Sequence, residues 1–204
     1  MRSRPQRLGI VGGTFDPIHL GHVAMAKAAR SCADLDQVLV IPVRLPPHRS
    51  PPAASEADRL TMCELAVRGQ PGLQVSDLEL RRPGPSYTLQ TLRDLHTTDP
   101  GSELFLVLGW DAARELRSWH RPEEVLRLAT AVVVPRPGLP EPTPEDLRAA
   151  GLDPGRAVRC RIGTPDIRAT EVRRRLQARE TTDGLVDPAV LAYIREHHLY
   201  EGRD

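Results

Sequence analysis

The sequence predicts an α/β protein: a doubly wound, Rossmann-like parallel sheet with flanking helices and a small C-terminal helical extension. Short apolar runs recur along the chain without clean alternation, as in strands that are buried on both faces of a parallel sheet. Helical stretches separate these runs, and that alternation favours one open sheet with right-handed crossovers. A glycine-rich turn joins the first apolar run to the first helical stretch, which is where sheets of this kind bind ligands.

The apolar runs predict the strands of this sheet. Four of them are typical of buried strands and cover residues 8–11, 37–43, 104–109 and 131–135. Residues 74–80 alternate between apolar and polar side chains, which predicts an edge strand. Residues 158–162 carry a weaker strand signal.

Helical patterns fill the gaps between the strands. The predicted ranges are 22–31, 56–68, 88–96, 122–128, 145–150, 170–177 and 188–197, the last being a docked terminal helix. Thr170 is the predicted N-cap of the sixth helix, because a hydroxyl can accept a hydrogen bond from a first-turn N–H. Two proline-rich segments, 42–52 and 135–144, each follow a predicted strand, so we expect both to be loops at the ligand-binding edge.

Composition and charge argue against several classes of protein. The 204 residues suit a single domain spanning 1–204, and the net charge of +1 gives no global field for nucleic acid or an anionic membrane. No apolar run approaches the roughly 18 residues of a membrane helix. Cys32, Cys63 and Cys160 are odd in number, far apart and without metal-ligand spacing. We therefore interpret them as reduced thiols of a cytoplasmic protein.

Two histidines lie at the start of the first helix. Residues 12–22 read GGTFDPIHLGH, which places His19 and His22 after a strand and a glycine turn. Alone, such a pair would be a helix cap and a surface histidine. In this context Gly21 permits close backbone approach, and imidazoles beside a helix N-terminus can donate hydrogen bonds to phosphate oxygens. A metal site is disfavoured, because no third suitable ligand is near in sequence.

A second cluster occupies residues 163–176, GTPDIRATEVRRRL. One interpretation is a capped amphipathic helix with a solvated basic face. The other is a second helix N-terminus that presents N–H groups and Arg173 to a polyphosphate.

These two segments resemble the signature pair of the nucleotidyltransferase superfamily with the H-x-G-H motif. Within it, the chain is most similar to the bacterial nicotinate-nucleotide adenylyltransferase family. The supporting segments are residues 46–49 (PPHR), 84–88 (GPSYT) with Thr91 and Leu92, 109–111 (GWD), Trp119, 134–138 (VPRPG) and 190–200 (VLAYIREHHLY). The chain departs from the family at Arg168, where a serine is usual, so a hydroxyl that could touch a triphosphate is missing.

The resemblance implies transfer of AMP from ATP to nicotinate mononucleotide, giving nicotinate adenine dinucleotide and pyrophosphate in NAD biosynthesis. The mononucleotide phosphate would attack the α-phosphorus in line, with no covalent enzyme intermediate and with Mg²⁺ carried by ATP. The implied catalytic residues are His19, His22 and Arg173. The same three would bind ATP, together with Gly12, Gly13, Thr14, Phe15, Ile167 and Thr170. The implied mononucleotide-binding residues are Arg49, Tyr87, Thr88, Gly109, Asp111, Trp119 and Arg136.

Individual roles follow from side-chain chemistry. An indole face such as that of Trp119 suits a pyridinium ring, and N–H groups near Thr88 suit a carboxylate. Arg49 and Arg136 lie in the proline-rich loops and suit the mononucleotide phosphate; the alternative for either is a surface arginine. Asp16 is either a turn residue before proline or a group that orients a metal-bound water.

Two other functions remain open on the sequence. One is a different H-x-G-H adenylyl- or cytidylyltransferase, with nicotinamide mononucleotide or phosphopantetheine as acceptor. The other is a non-catalytic nucleotide-binding regulator, which the substitution at Arg168 slightly favours. We expect ATP and nicotinate mononucleotide as small-molecule partners, with neither nucleic acid nor membrane. The oligomeric state stays open, a homo-oligomer included.

Overall fold

The computed structural model describes residues 4–47 and 50–201. Within these ranges six parallel strands form one sheet in the order β3-β2-β1-β4-β5-β6. Their bounds are β1 Arg7–Gly13, β2 Gln37–Pro42, β3 Leu73–Val75, β4 Glu103–Gly109, β5 Ala129–Val134 and β6 Val158–Arg159. The order reverses between β1 and β4, so the predicted doubly wound parallel sheet is confirmed.

Helices connect the strands and cover the sheet. They are α1 Leu20–Cys32, α2 Glu56–Val67, α3 Leu78–Arg81, α4 Thr88–Thr98, α5 Trp110–Ala113, α6 Pro122–Leu128, α7 Pro144–Ala149, α8 Ala169–Gln177 and α9 Pro188–Glu196, with a short 3-10 turn at Leu116–Ser118. All seven predicted helices are present, with ends that differ by at most two residues. The short helices α3 and α5 were not predicted.

Strands β1, β2, β4 and β5 each contribute side chains to two hydrophobic layers. On β2, for example, Val38 and Val40 face one layer and Leu39 and Ile41 face the other. The first layer is closed by helices α1, α2, α8 and α9, and the second by α4, α6 and α7. Burial on both faces explains the continuous apolar runs, since successive residues of a strand point to opposite sides. It also places the C-terminal helices on the same face as α1.

Two local predictions are wrong. The edge strand ends at Val75 instead of residue 80, and the chain then forms α3, whose first N–H, that of Leu78, donates to the Ser76 hydroxyl at 3.4 Å. Such side-chain bonds let serine divert the backbone from a strand ladder. Helix α8 begins at Ala169 with Arg168 as its N-cap, so Thr170 is its second residue and not its cap.

The prediction of three reduced thiols is also wrong. Cys32 and Cys160 form a disulfide across a sequence separation of 128 residues. The end of α1 packs beside the segment after β6, and the two Cα atoms lie 5.4 Å apart. Cys63 is a free, buried thiol whose pKa is raised by burial. In the two described ranges, no helix has the length and apolar character needed to cross a membrane.

Candidate active site

A cavity of about 780 Å³ opens beyond the carboxyl ends of β1 and β4. This is the switch point of the sheet, where the connections from β1 and β4 run to opposite sides and leave a crevice. Its floor includes Gly12 and Gly13 at the end of β1 and Gly109 at the end of β4. The volume falls in the range of roughly 300–1,000 Å³ typical of small-molecule sites.

His19 and His22 form a stacked pair on one wall of the cavity. His19 is the N-cap of α1, with extended backbone, and His22 lies in the first turn. Their ring centroids are 3.6 Å apart, and Phe15 packs edge-on against His22 at 5.0 Å. The prediction that both histidines lie at the helix start is confirmed. Stacking fixes the direction of both imidazoles relative to the cavity.

Both imidazoles are neutral near pH 7. Burial and the neighbouring Arg136 lower the pKa of His19 from 6.5 to about 4. Burial, then His19, then Arg136 lower the pKa of His22 well below its usual value. The backbone N–H of His19 donates to Nδ1 of His22 at 3.3 Å, so Nδ1 is the unprotonated nitrogen. The proton of His22 is therefore on Nε2, which makes that atom a hydrogen-bond donor.

Gly21 allows a second segment to approach the histidines closely. A Cβ atom at this position would lie 3.1 Å from Nδ1 of His19 and 3.3 Å from the backbone oxygen of Pro165. Both distances are shorter than ordinary contacts of a Cβ. The absence of a side chain at Gly21 therefore lets the segment before α8 pack against the start of α1.

Asp16 is buried, and its carboxylate accepts three hydrogen bonds from the protein. Its carboxylate accepts hydrogen bonds from Ala53 N at 2.8 Å, Ala54 N at 3.0 Å and the Tyr200 hydroxyl at 2.7 Å. Arg173 Nη1 donates to the Asp16 backbone oxygen at 2.6 Å and lies 3.7 Å from Oδ2. Of the two roles open on the sequence, these contacts favour a structural turn residue over an orienter of metal-bound water.

Helix α8 points its N-terminus into the same cavity. Arg168, Ala169, Thr170 and Arg173 all line it. Arg168 has extended backbone and makes no side-chain cap bond, and its mostly exposed guanidinium lies 3.9 Å from Asp166. The hydroxyl expected of a serine is absent, while the helix end remains open to an anion.

Tyr87, Thr88, Trp119 and the ion pair of Asp111 with Arg136 also line the cavity. The N-terminus of α4 lies here, with Tyr87 as N-cap and Thr88 as its first residue. Trp119 is half-buried, packs against the second hydrophobic layer and also lines the cavity. Arg136 Nη1 donates to Asp111 Oδ2 at 2.7 Å, which joins the loop after β5 to helix α5.

Comparison with known protein sequences identifies the family of this chain. The cytidylyltransferase-like family model matches residues 10–175. A probable nicotinate-nucleotide adenylyltransferase of Synechococcus sp. is 42% identical, over 96% of this chain and 95% of its own. One from Pseudomonas syringae is 39% identical, over 98% and 96%. The chain belongs to the nicotinate-nucleotide adenylyltransferase family.

Solved structures of this family share the fold. The nicotinic acid mononucleotide adenylyltransferase of Plasmodium falciparum complexed with NaAD matches with a TM-score of 0.80 at 19% identity, covering 96% of this chain and 97% of its own. The same enzyme complexed with APC matches with a TM-score of 0.78. At this level of identity the likeness establishes the architecture.

The cavity brings together all but one of the site residues predicted from the family motifs. Those present are Gly12, Gly13, Thr14, Phe15, His19, His22, Tyr87, Thr88, Gly109, Asp111, Trp119, Arg136, Ile167, Thr170 and Arg173. Arg49 lies outside the described residues. Prolines of both proline-rich segments line the cavity, as predicted for loops at this edge.

Sequence reasoning missed two buried charged residues beside the site. Arg59 of α2 is fully buried and donates from Nη1 to the backbone oxygens of Thr14, at 2.8 Å, and Val43, at 2.7 Å. The sequence did carry a signal for the burial of Arg59, because it lies three residues before Met62, on the face of α2 that the helical pattern makes apolar. Glu79 lines the cavity and accepts from the Thr91 hydroxyl at 2.6 Å, and burial raises its pKa.

Proposed function

We propose that this protein transfers AMP from ATP to nicotinate mononucleotide, producing nicotinate adenine dinucleotide and pyrophosphate. The observation that carries the proposal is the pair of neutral imidazoles, His19 and His22, in one cavity with Arg173 and the N-terminus of α8. The relatives named as nicotinate-nucleotide adenylyltransferases support the choice of reaction. The proposed step is direct: a phosphate oxygen of the mononucleotide forms a bond to the α-phosphorus, and the bond to the bridging oxygen of pyrophosphate breaks.

In this proposal the histidines act as hydrogen-bond donors. A neutral imidazole with its proton on Nε2 can donate to an α-phosphate oxygen as negative charge develops in the transition state. The buried pair is already oriented by stacking and by the His19 N–H bond, so little reorganisation is needed at that moment. Arg173 and the amides of α8 would bind the β- and γ-phosphates, where pyrophosphate charge accumulates.

The acceptor would occupy the part of the cavity that Trp119, the start of α4 and Arg136 line. Trp119 offers a ring face for the pyridinium, and the first amides of α4 near Thr88 suit its carboxylate. Arg136 would bind the mononucleotide phosphate. Because Arg136 pairs with Asp111, the incoming phosphate would compete with that carboxylate for the guanidinium.

We further propose that Mg²⁺ arrives with ATP. Both oxygens of the Asp16 carboxylate accept protein hydrogen bonds, and Asp111 is paired with Arg136. In the described part of the chain, no group of three or more His, Cys, Asp or Glu residues could hold a metal ion. These side chains fit a Mg²⁺ ion that is held by substrate phosphates and water, which is the common mode of binding for this ion. Such an ion would neutralise charge between the two anionic substrates.

The test is pyrophosphate release from ATP and Mg²⁺ with three acceptors in parallel: nicotinate mononucleotide, nicotinamide mononucleotide and phosphopantetheine. His22→Ala is the site variant, and His96→Ala, at an exposed position of α4, is the matched control. We expect strong preference for nicotinate mononucleotide, lost in His22→Ala and kept in His96→Ala. Preference for another acceptor would overturn the substrate assignment. ATP binding without turnover of any acceptor would instead favour the regulator.

A further inference from the structure

We propose that Tyr200, near the end of the chain, is a positioning residue for ATP binding that acts through Asp16 on Arg173. The inference rests on the proposed function in one respect, that Arg173 binds the phosphates of ATP. Tyr200 is not among the residues that line the cavity, and nothing in the reaction requires it to touch substrate. Its effect would be transmitted by two hydrogen bonds.

The first contact joins the C-terminal segment to Asp16, in the turn between β1 and α1. Helix α9 ends at Glu196, and left-handed backbone at His198 and Tyr200, with φ of 51° and 63°, turns the chain back toward α1. The Tyr200 hydroxyl then donates to Oδ1 of Asp16 at 2.7 Å. Burial and the negative charge of Asp16 raise the pKa of Tyr200 far above its usual value, so the hydroxyl stays a donor.

The second contact joins Asp16 to Arg173. Nη1 of Arg173 is held by the Asp16 backbone oxygen at 2.6 Å, while the carboxylate oxygen Oδ2 is 3.7 Å away. Arg173 therefore sits beside a carboxylate without a direct hydrogen bond to it. Within the described residues, the guanidinium makes no other hydrogen bond, which leaves its remaining N–H groups for a ligand in the cavity.

The Tyr200 hydroxyl determines how strongly Asp16 attracts Arg173. The carboxylate accepts two backbone N–H bonds and the phenol, and these donors satisfy its charge. Without the phenol, Oδ1 loses a buried donor and the carboxylate gains from drawing the guanidinium into direct contact. A guanidinium bound in that way is withdrawn from the polyphosphate, because the carboxylate and the phosphates compete for the same N–H groups.

The experiment uses Tyr200→Phe, which keeps the ring and removes only the hydroxyl. Tyr193→Phe is the matched control, since Tyr193 lies in α9 and its hydroxyl anchors that helix to Asp58 at 2.9 Å. The dissociation constant of Mg²⁺-ATP is measured by calorimetry without acceptor, at a temperature where circular dichroism shows all variants folded. We expect Tyr200→Phe to weaken ATP binding about three- to tenfold and Tyr193→Phe to leave it within about twofold. In turnover, KM for ATP should rise while KM for the mononucleotide stays unchanged.

The route through Arg173 is tested by a double variant. Tyr200→Phe is combined with Arg173→Met, and we expect no further loss of ATP affinity beyond that of Arg173→Met alone. An equal additional loss in that background, or an equal effect of Tyr193→Phe, would overturn the proposal and leave Tyr200 as a docking contact. ATP binding is read without acceptor, so a wrong acceptor assignment would appear only in the turnover assay.

Discussion

Replacing Gly21 by alanine is expected to separate activity from stability. Gly21 is the second residue of α1, with no left-handed backbone, so alanine is compatible with its conformation. Alanine is favoured over glycine inside a helix by about 1 kcal/mol. The new methyl group, however, would lie 3.1 Å from Nδ1 and 3.2 Å from Cε1 of His19 and 3.3 Å from the Pro165 oxygen.

These contacts require His19 and the segment at Pro165 to move by a few tenths of an ångström. His19 is stacked on His22, so both imidazoles would shift relative to the α-phosphate that we propose they bind. A misplacement of about 1 Å can cost a factor of about 100 in rate, and we expect a loss of about tenfold in kcat/KM for this smaller shift. Overpacking of about 1–3 kcal/mol is partly offset by the helix gain, so the free energy of unfolding should fall by at most about 2 kcal/mol.

The assay pairs pyrophosphate release with urea unfolding. Gly101→Ala is the control, because a Cβ there meets only Asp99 Oδ1 at 3.8 Å, outside the cavity. We expect that control to change neither quantity appreciably. Activity of Gly21→Ala within twofold of the parent, at unchanged stability, would refute the argument that close packing at Gly21 positions the histidines.

Three further outcomes are expected. The pKa of His19 is about 4 in the folded protein against 6.5 ordinarily, so its neutral form stabilises the fold fully above pH 6.5, and this effect is lost as the pH falls to 4, by about 3 kcal/mol in all. Urea unfolding between pH 7.5 and 4.5 should show most of this loss. A pH dependence that is unchanged in His19→Asn would contradict the assignment. Reducing the bond between Cys32 and Cys160 should lower the free energy of unfolding by about 2–5 kcal/mol, whereas three titratable thiols in the unreduced, denatured protein would disprove the bond. Arg59→Met leaves two loop carbonyls without their buried donor and should cost about 3 kcal/mol, with partial recovery in Arg59→Lys; an unchanged urea midpoint would show that the carbonyls find other donors.

Much of the fold follows from local pattern. The strand at 104–109 is an uninterrupted apolar run because its residues alternate between two buried layers, as Phe105 and Leu106 do. Prediction failed after Val75, where a polar–apolar alternation continues but the Ser76 hydroxyl and a short helix replace the ladder. Alternation alone cannot distinguish a strand from a short helix, since the outcome depends on whether a neighbouring strand still offers partners.

The candidate site also contains residues that the sequence predicted and residues that only the structure revealed. Residues 12–22 were expected at the ligand-binding edge because the first βα turn of a doubly wound sheet lies there, whereas Arg173 was added to the same site by the family resemblance. Arg59 could have been suspected from its apolar helix position, although its hydrogen bonds to the loop carbonyls could not. Tyr200 had no comparable signal, because its contact with Asp16 joins residues 184 positions apart.

The sequence by itself determined the succession of strands and longer helices along the chain, the place of the glycine-rich turn at residues 12–22 and the family. These depend on residues within a few positions of each other, through periodicity, capping and motif spacing. Tertiary structure alone decided that His19 and His22 are neutral, that Cys32 and Cys160 are joined, and that the Asp16 carboxylate is engaged by protein donors. The reason is physical: a pKa, a disulfide and a buried hydrogen bond depend on burial and on distances between groups that only folding brings together.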